Sequence, residues 1–202
     1  AEPLARCLDA VRADRADRVP VVLFSPVGAR LDHAAVTQWS ASAGAVLVCG
    51  RYEGIDERVL ESEIDEELSI GDYVLSGGEL AAAVVIDAVT RLLPGAVGDE
   101  DSVRHDSFAA GLLEYPHYTR PREIDGRAVP EVLVRGNHRE IDEWRFKQAV
   151  LRTRRKRPEL LAGFTPDAQQ RKWMDELAAE GAPDADLGRT HSSKTGTAGE
   201  GS

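Results

Sequence analysis

The sequence predicts an α/β fold with a parallel sheet, followed by a small α-helical C-terminal domain. Three short apolar runs, at 19–24, 45–49 and 67–70, alternate with segments of helical periodicity. That order is typical of a parallel sheet covered by helices. After residue 95 the chain becomes polar, and the segments that follow are looped or helical. Glycine-rich loops follow the second and third runs, where such sheets commonly bind ligands.

Four helices are predicted around these strands. Asp32 is suited to cap the second of them, and Gly44 is suited to end it. The first strand is expected to end at Ser25-Pro26. The last helix is apolar almost all round, which predicts a buried helix. The predicted helices cover 2–15, 32–42, 56–63 and 79–93.

The second half of the chain has a different organisation. Asn137 and Glu140 have the spacing of a capping box at the start of one helix, and Pro166 is suited to the first turn of another. The last residues are small and polar without periodicity, which predicts disorder. The predicted organisation is an α/β domain over 1–95, a flexible linker over 96–107, a helical domain over 108–180 and a disordered tail over 181–202.

The composition excludes several classes of protein. Two cysteines, Cys7 and Cys49, form no disulfide framework and suit a reducing compartment, so we expect a cytoplasmic protein. No apolar run approaches the roughly 18 residues of a membrane span. The patterns GxxxxGK, GxGxxG, HExxH and CxxC are absent. Their absence argues against nucleotide hydrolysis and zinc chemistry, and we expect no metal site.

One basic stretch departs from the acidic composition. The formal net charge is −10, yet the stretch 135–157 contains nine Arg or Lys against three Asp or Glu. These cations either complement the dipole at a helix end or contact the phosphates of a nucleic acid. The stretch ends in the candidate RNA-binding residues Arg152, Arg154, Arg155, Lys156 and Arg157.

Two glycine-rich loops lie between Gly50 and Gly78, with the sequences GRYEGID and SIGDYVLSGGE. Glycine lets a backbone turn sharply or approach a ligand closely. Tyr73 and Leu75 offer apolar walls, and Glu53 offers a charge to a positive group. On these residues alone, plain turns and a ligand site both remain open.

Three ionisable residues lie near the predicted linker. Asp106 can accept a proton from a substrate nitrogen held within hydrogen-bond reach, or it can cap a turn. His105 is the alternative base, because imidazole titrates near neutrality. Arg91 either complements the dipole of its helix or presents a positive charge to a site.

Taken together, the motifs resemble one family. GRYEGID, SIGDYVLSGGE, RLLPG, HDSF, GLLEYPHYTRP and RKRPELL occur here in the order found in bacterial tRNA (guanine-N1)-methyltransferases, the TrmD family. The resemblance covers about residues 21–161. It implies methylation of N1 of the guanine 3′-adjacent to the tRNA anticodon, with S-adenosylmethionine as donor. It also implies a trefoil knot of the SPOUT class, a homodimer with a shared active site, and a C-terminal domain that binds tRNA.

The resemblance also implies roles for particular residues. Asp106 would be the general base that removes the N1 proton in the partner subunit's pocket, and Arg91 would stabilise the charge that develops on O6. The linker would order when tRNA binds. Mg²⁺ is implied as well, although the sequence offers no site for it. The methyl-donor pocket would comprise Ser25, Pro26, Gly50, Tyr52, Glu53, Gly54, Ile70, Gly71, Tyr73, Leu75, Gly77 and Gly78.

The sequence departs from the family at its start. Family members begin with about sixty further residues, the upper end of an α/β unit, so we expect the α/β domain to be N-terminally incomplete. Three alternatives therefore stay open. They are an RNA-binding fragment without catalysis, a related SPOUT enzyme that methylates a ribose hydroxyl, and a protein that binds an apolar ligand without RNA.

Overall fold

A computed structural model of the chain describes residues 1–51, 54–98 and 106–181. It divides into two compact units, 1–110 and 111–202. Most of the predicted linker and the tail from 182 onward lie outside the described residues, as do Tyr52, Glu53 and His105. The first unit contains α1 (Glu2–Ala13), β1 (Val21–Arg30), α2 (His33–Ser40), β2 (Val46–Val48), α3 (Glu57–Glu63), β3 (Glu66–Ser69) and α4 (Glu79–Thr90).

The first unit is built on a three-stranded sheet in the order β2-β1-β3, and both pairings are parallel. The predicted α/β class with a parallel sheet is therefore confirmed. Successive side chains of β1 point to opposite faces. Val21 and Leu23 pack beneath α1 and α3, whereas Val22 packs with Val85 of α4. Full burial of a valine of this kind stabilises a fold by about 1.5–3 kcal/mol.

Two predicted boundaries in this unit are wrong. The first strand does not end at Ser25-Pro26, because β1 shifts its register on β3 between Phe24 and Ala29 and then continues to Arg30. Gly44 does not end the second helix, since Ala41 already provides its C-cap. Asp32 caps that helix as predicted, and its carboxylate accepts a hydrogen bond from the backbone N–H of Ala35 at 2.9 Å.

The prediction that the last helix of this unit is buried is also wrong. Only Ala81, Ala82 and Val85 of α4 are buried. Large apolar side chains on the opposite faces are exposed, namely Leu80, Val84 and Ile86. Apolar composition all round predicted burial on every side, but the sheet covers only one side of the helix.

The second unit packs helices around a small core. Its elements are β4 (Glu123–Ile124), β5 (Arg127–Ala128), a 3₁₀ turn (Glu131–Leu133), α5 (His138–Lys156), α6 (Glu159–Gly163) and α7 (Ala168–Ala179). Leu112 packs with Ala149 and Val150 of α5 and with Leu177 of α7. Thr153 is fully buried, and its hydroxyl accepts the N–H of Leu113 at 2.9 Å.

The helix predicted to start at Asn137 does so, with Asn137 as its N-cap, but the predicted capping box and the predicted start of the last helix are wrong. The Asn137 side chain makes no capping bond, because its amide donates to the Glu140 carboxylate at 2.8 Å instead. The last helix begins after Asp167 rather than at Pro166. Asp167 accepts the backbone N–H of Gln170 at 2.8 Å, and Gln170 accepts that of Asp167 at 3.0 Å. This reciprocal pair satisfies two backbone donors at the helix start.

Candidate functional site

A cleft of about 550 Å³ lies in the first unit, beyond the carboxyl ends of β2 and β3. Its volume is within the range of about 300–1,000 Å³ found for small-molecule sites. It brings together every predicted donor-pocket residue that the structure describes. These residues are Ser25, Pro26, Gly50, Gly54, Ile70, Gly71, Tyr73, Leu75, Gly77 and Gly78.

The two glycine-rich loops hold each other at one wall of this cleft. The backbone N–H of Gly78 donates to the carbonyl of Gly50 at 3.1 Å, and Arg51 forms a β-bridge with Gly77. A Cβ atom at Gly78 would lie 2.8 Å from Cα of Cys49, which is closer than packing allows. Glycine is therefore required where the two backbones cross.

Ser69 fixes the loop that follows β3, and sequence reasoning missed it. The side chain is buried, its hydroxyl donates to the carbonyl of Gly71 at 3.1 Å, and it accepts the N–H of the same residue at 3.2 Å. The hydroxyl of Tyr73 donates to the carbonyl of Ile70 at 3.3 Å. A hydroxyl residue directly after the buried Leu68, at the end of β3 and before a glycine turn, is the signal that could have found Ser69.

Charged residues lie in and beside the cleft. The Glu79 carboxylate lies 2.7 Å from the Arg51 guanidinium. A backbone hydrogen bond at the start of α4, and then Arg51, lower the pKa of Glu79. Burial raises the pKa of the neighbouring Cys49 thiol, and the charge of Glu79 raises it further. Glu57 and Glu67 line the cleft together with Arg51, whose charge is paired with Glu79, so the negative charge of the lining favours a cationic ligand.

Arg91 and Asp106 meet each other in the same unit. The Arg91 guanidinium lies 2.5 Å from the Asp106 carboxylate. Their side chains are 47% and 35% exposed, so both reach solvent. Neither is among the residues that line the cleft. The structure thus brings the two predicted catalytic residues together, apart from the predicted donor residues.

The basic run of the second unit divides into structural and exposed cations. Arg152 is half-buried and donates to the backbone carbonyl of Glu114 at 3.2 Å. Arg157 pairs with the Glu159 carboxylate. The exposed members of the run between these two residues are Arg154, Arg155 and Lys156.

Within residues 1–51, 54–98 and 106–181, no group of three or more His, Cys, Asp or Glu is arranged to hold a metal ion. No helix within the same ranges has the length and apolarity needed to cross a membrane.

Helices on both faces of a parallel sheet, with a glycine-lined cleft beyond its strand ends, define an α/β protein whose cleft has the position and size typical of a small-molecule site. The family model described as tRNA (Guanine-1)-methyltransferase TrmD matches residues 1–163. The chain therefore belongs to this family, and the resemblance inferred from the motifs is confirmed.

Individual relatives agree with the family model. A tRNA (guanine-N(1)-)-methyltransferase from Halorhodospira halophila is 56% identical over 189 residues, which cover 94% of this chain and 72% of the relative. The protein of the same name from Methylococcus capsulatus is 56% identical, with 89% and 71% covered. That from Chromohalobacter salexigens is 55% identical, with 86% and 65% covered. The chain thus spans 65% to 72% of the length of these three relatives.

Proposed function

We propose that this chain methylates N1 of the guanine 3′-adjacent to the tRNA anticodon, with S-adenosylmethionine as the methyl donor. One observation carries the proposal. In a member of this family, the ten described residues expected to hold the donor line a single cleft. The relatives reported above are named for guanine-N1 methylation of tRNA, which supports the same reaction here.

The cleft fits the donor in size and chemistry. Backbone N–H and C=O groups of the glycine loops would pair with the adenine edge and the ribose, and Tyr73 and Leu75, which line the cleft, would supply apolar contact. Glu57 and Glu67 add negative charge that suits the ammonium and sulfonium groups. When bound, the donor supplies a methyl group on a positively charged sulfur.

Asp106 and Arg91 account for activation of the guanine. The N1–H proton moves to the Asp106 carboxylate, which frees the N1 lone pair to attack the methyl carbon as the carbon–sulfur bond breaks. The negative charge that develops on O6 is stabilised by the Arg91 guanidinium. N1 and O6 are on neighbouring positions of the base, and the contact between Arg91 and Asp106 places the two groups correspondingly close.

The proposal includes a homodimer with a shared active site. Exposed apolar side chains of α4, namely Leu80, Val84 and Ile86, would be covered by a second copy of the chain. Asp106 does not line the cleft of its own chain, which agrees with a role in the cleft of its partner. We also propose a SPOUT-type trefoil knot. Its support is the crossing of the 71–78 segment against the Cys49-Gly50 backbone.

The helical part, residues 108–180, is proposed to bind tRNA through the exposed cations of its basic run. Arg154, Arg155 and Lys156 can neutralise phosphates, because their side chains reach solvent. A linker over 96–107 that orders on tRNA binding remains part of the proposal. A cytoplasmic location is consistent with a tRNA substrate and is proposed on that ground.

Calorimetric titration with S-adenosylmethionine tests donor binding, and methyl transfer to tRNA tests the reaction. We expect saturable binding at one site per chain, and transfer to tRNA that carries the target guanine but not to the same tRNA with adenine there. Gly78→Val should abolish donor binding because of the contact with Cys49. Transfer to the adenine tRNA would indicate a ribose methyltransferase. A folded chain that binds tRNA but not the donor would contradict the proposal.

A further inference from the structure

An exposed arm projects from the core of the second unit. We call residues 117–128 the arm, since every one of them is exposed. It ends in the hairpin of β4 and β5, whose turn residues Asp125 and Gly126 have φ values of 50° and 74°. Left-handed backbone at both positions is typical of a tight two-residue hairpin turn. The arm therefore has a defined conformation, although it contributes no side chain to the core.

Two rings at the base of the arm are packed on one side and exposed on the other. The His117 ring lies 4.8 Å from the Tyr115 ring, and its Nε2 lies 2.6 Å from the Glu114 carboxylate. The Tyr118 ring lies 6.2 Å from the Trp144 ring of α5. Even so, His117 is 57% exposed in its side chain and Tyr118 is 40% exposed. Rings already held from behind lose little entropy when they bind a planar partner.

Three arginines accompany these rings. The side chains of Arg120, Arg122 and Arg127 are exposed and form no ion pair with any residue of the described ranges. The arm carries these three cations against Glu123 and Asp125, in a protein whose formal net charge is −10. Cations that form no ion pair within the described residues, on the same arm as exposed rings, favour a polyanion that also offers flat apolar faces.

We infer that the arm binds an unpaired stretch of RNA, with Tyr118 and His117 stacking on bases and Arg122 and Arg127 contacting the adjacent phosphates. A loop fits better than a double-stranded stem, because only unpaired bases expose their faces for stacking. The inference rests on the proposed function, which supplies tRNA as the RNA. It is separate from the basic run of α5, which contains none of these residues.

The test compares two RNA ligands at several salt concentrations. Fluorescence anisotropy measures the affinity of the full chain for a labelled anticodon stem-loop and for a fully paired RNA of equal length. Tyr118→Ala should weaken stem-loop binding by about 5-fold or more and duplex binding much less, whereas Tyr118→Phe should bind as the parent does. Arg122→Gln should lower the slope of log affinity against log salt by about 0.7.

Arg6→Gln is the matched charge control, because Arg6 is an exposed cation on α1. Thermal unfolding establishes that each variant is folded. Arg122 is exposed, so its variant tests the inference even if Tyr118→Ala unfolds. The inference would be overturned if the folded Tyr118 and Arg122 variants bound the stem-loop with the affinity and salt dependence of the parent. An equal loss for both RNAs would overturn the stacking, and altered self-association with unchanged RNA binding would identify a protein interface instead.

Methyl transfer measured in parallel separates this inference from the proposed function. If the parent chain methylates tRNA while the arm variants bind RNA normally, the proposed function stands and RNA binding by the arm is refuted. A chain that binds the stem-loop through the arm but transfers no methyl group refutes the function alone.

Discussion

The guanidinium of Arg91 lies 2.5 Å from the carboxylate of Asp106, and 15 positions of sequence separate the two residues. This contact joins the end of α4 to the first described residue after the gap at 99–105. The residue proposed as the base is thus held beside the cation proposed to stabilise the anion formed from guanine. Substitution of each residue in turn separates the two proposed roles.

Replacing Asp106 with Asn should reduce methyl transfer by about 100-fold or more, because an amide keeps the shape but cannot accept the N1 proton. Donor binding should be unchanged, since Asp106 is proposed to contact the guanine and not the donor. Single-turnover transfer of a labelled methyl group measures the first effect, and calorimetry measures the second. Retention of full transfer by this variant would show that another group is the base.

Replacing Arg91 with Met should lower methyl transfer by about 100-fold, the cost of removing one group that stabilises an oxyanion. Arg91→Lys keeps the charge but not the planar fork, and we expect it to fall between Met and the parent. Rates measured with saturating donor and tRNA separate transfer from binding. Equal rates for the Lys and Met variants would mean that the charge of Arg91 does not act on O6.

Removing the Ser69 hydroxyl should weaken donor binding through the loop that follows β3. Ser69→Ala leaves the Gly71 N–H without its buried acceptor, a loss of about 1–3 kcal/mol. Because this bond orders the loop, we expect the affinity for S-adenosylmethionine to fall and the unfolding temperature to drop only modestly. Ser62→Ala is the matched control, since Ser62 is exposed on α3 and bonds only within and beside that helix. A parental dissociation constant for the Ser69 variant would exclude the positioning role.

Features that depend on residues close together in the sequence could be predicted, whereas features that depend on distant residues could not. The cap at Asp32 depends on residues three positions apart, and it was predicted correctly. The extension of β1 depends on its pairing with Leu68 of β3, which no local pattern contains. Asp167 competes with Pro166 for the same helix start, and only the reciprocal bonds with Gln170 decide between them.

The candidate site also has features that the sequence could predict and features that it could not. Glycine spacing drew attention to the two loops, because the absence of a side chain can be read from a sequence, but only the family resemblance implied that they form a donor pocket. Ser69 was missed because its importance depends on burial and on bonds to a turn. The exposure of Leu80 and Val84 on α4 was missed. An apolar residue is suited to burial, but the sequence does not show which element, if any, covers it.

Asp56 should make the stability of the fold depend on pH below about 4, the ordinary range of an aspartate. Its carboxylate accepts the side-chain and backbone hydrogen bonds of Arg58 at the start of α3, and these lower its pKa from 3.8 to about 2. The folded chain therefore binds this proton less readily than the unfolded chain. The stabilisation that Asp56 contributes is complete above the pKa of the unfolded chain and is lost as pH falls through the pKa of the folded chain.

Asp56→Asn keeps a capping oxygen without the charge. The difference in unfolding temperature between the parent and this variant should therefore be largest at pH 5 and should shrink towards pH 2. A difference that stays constant over this range would show that the ion pair with Arg58 contributes nothing.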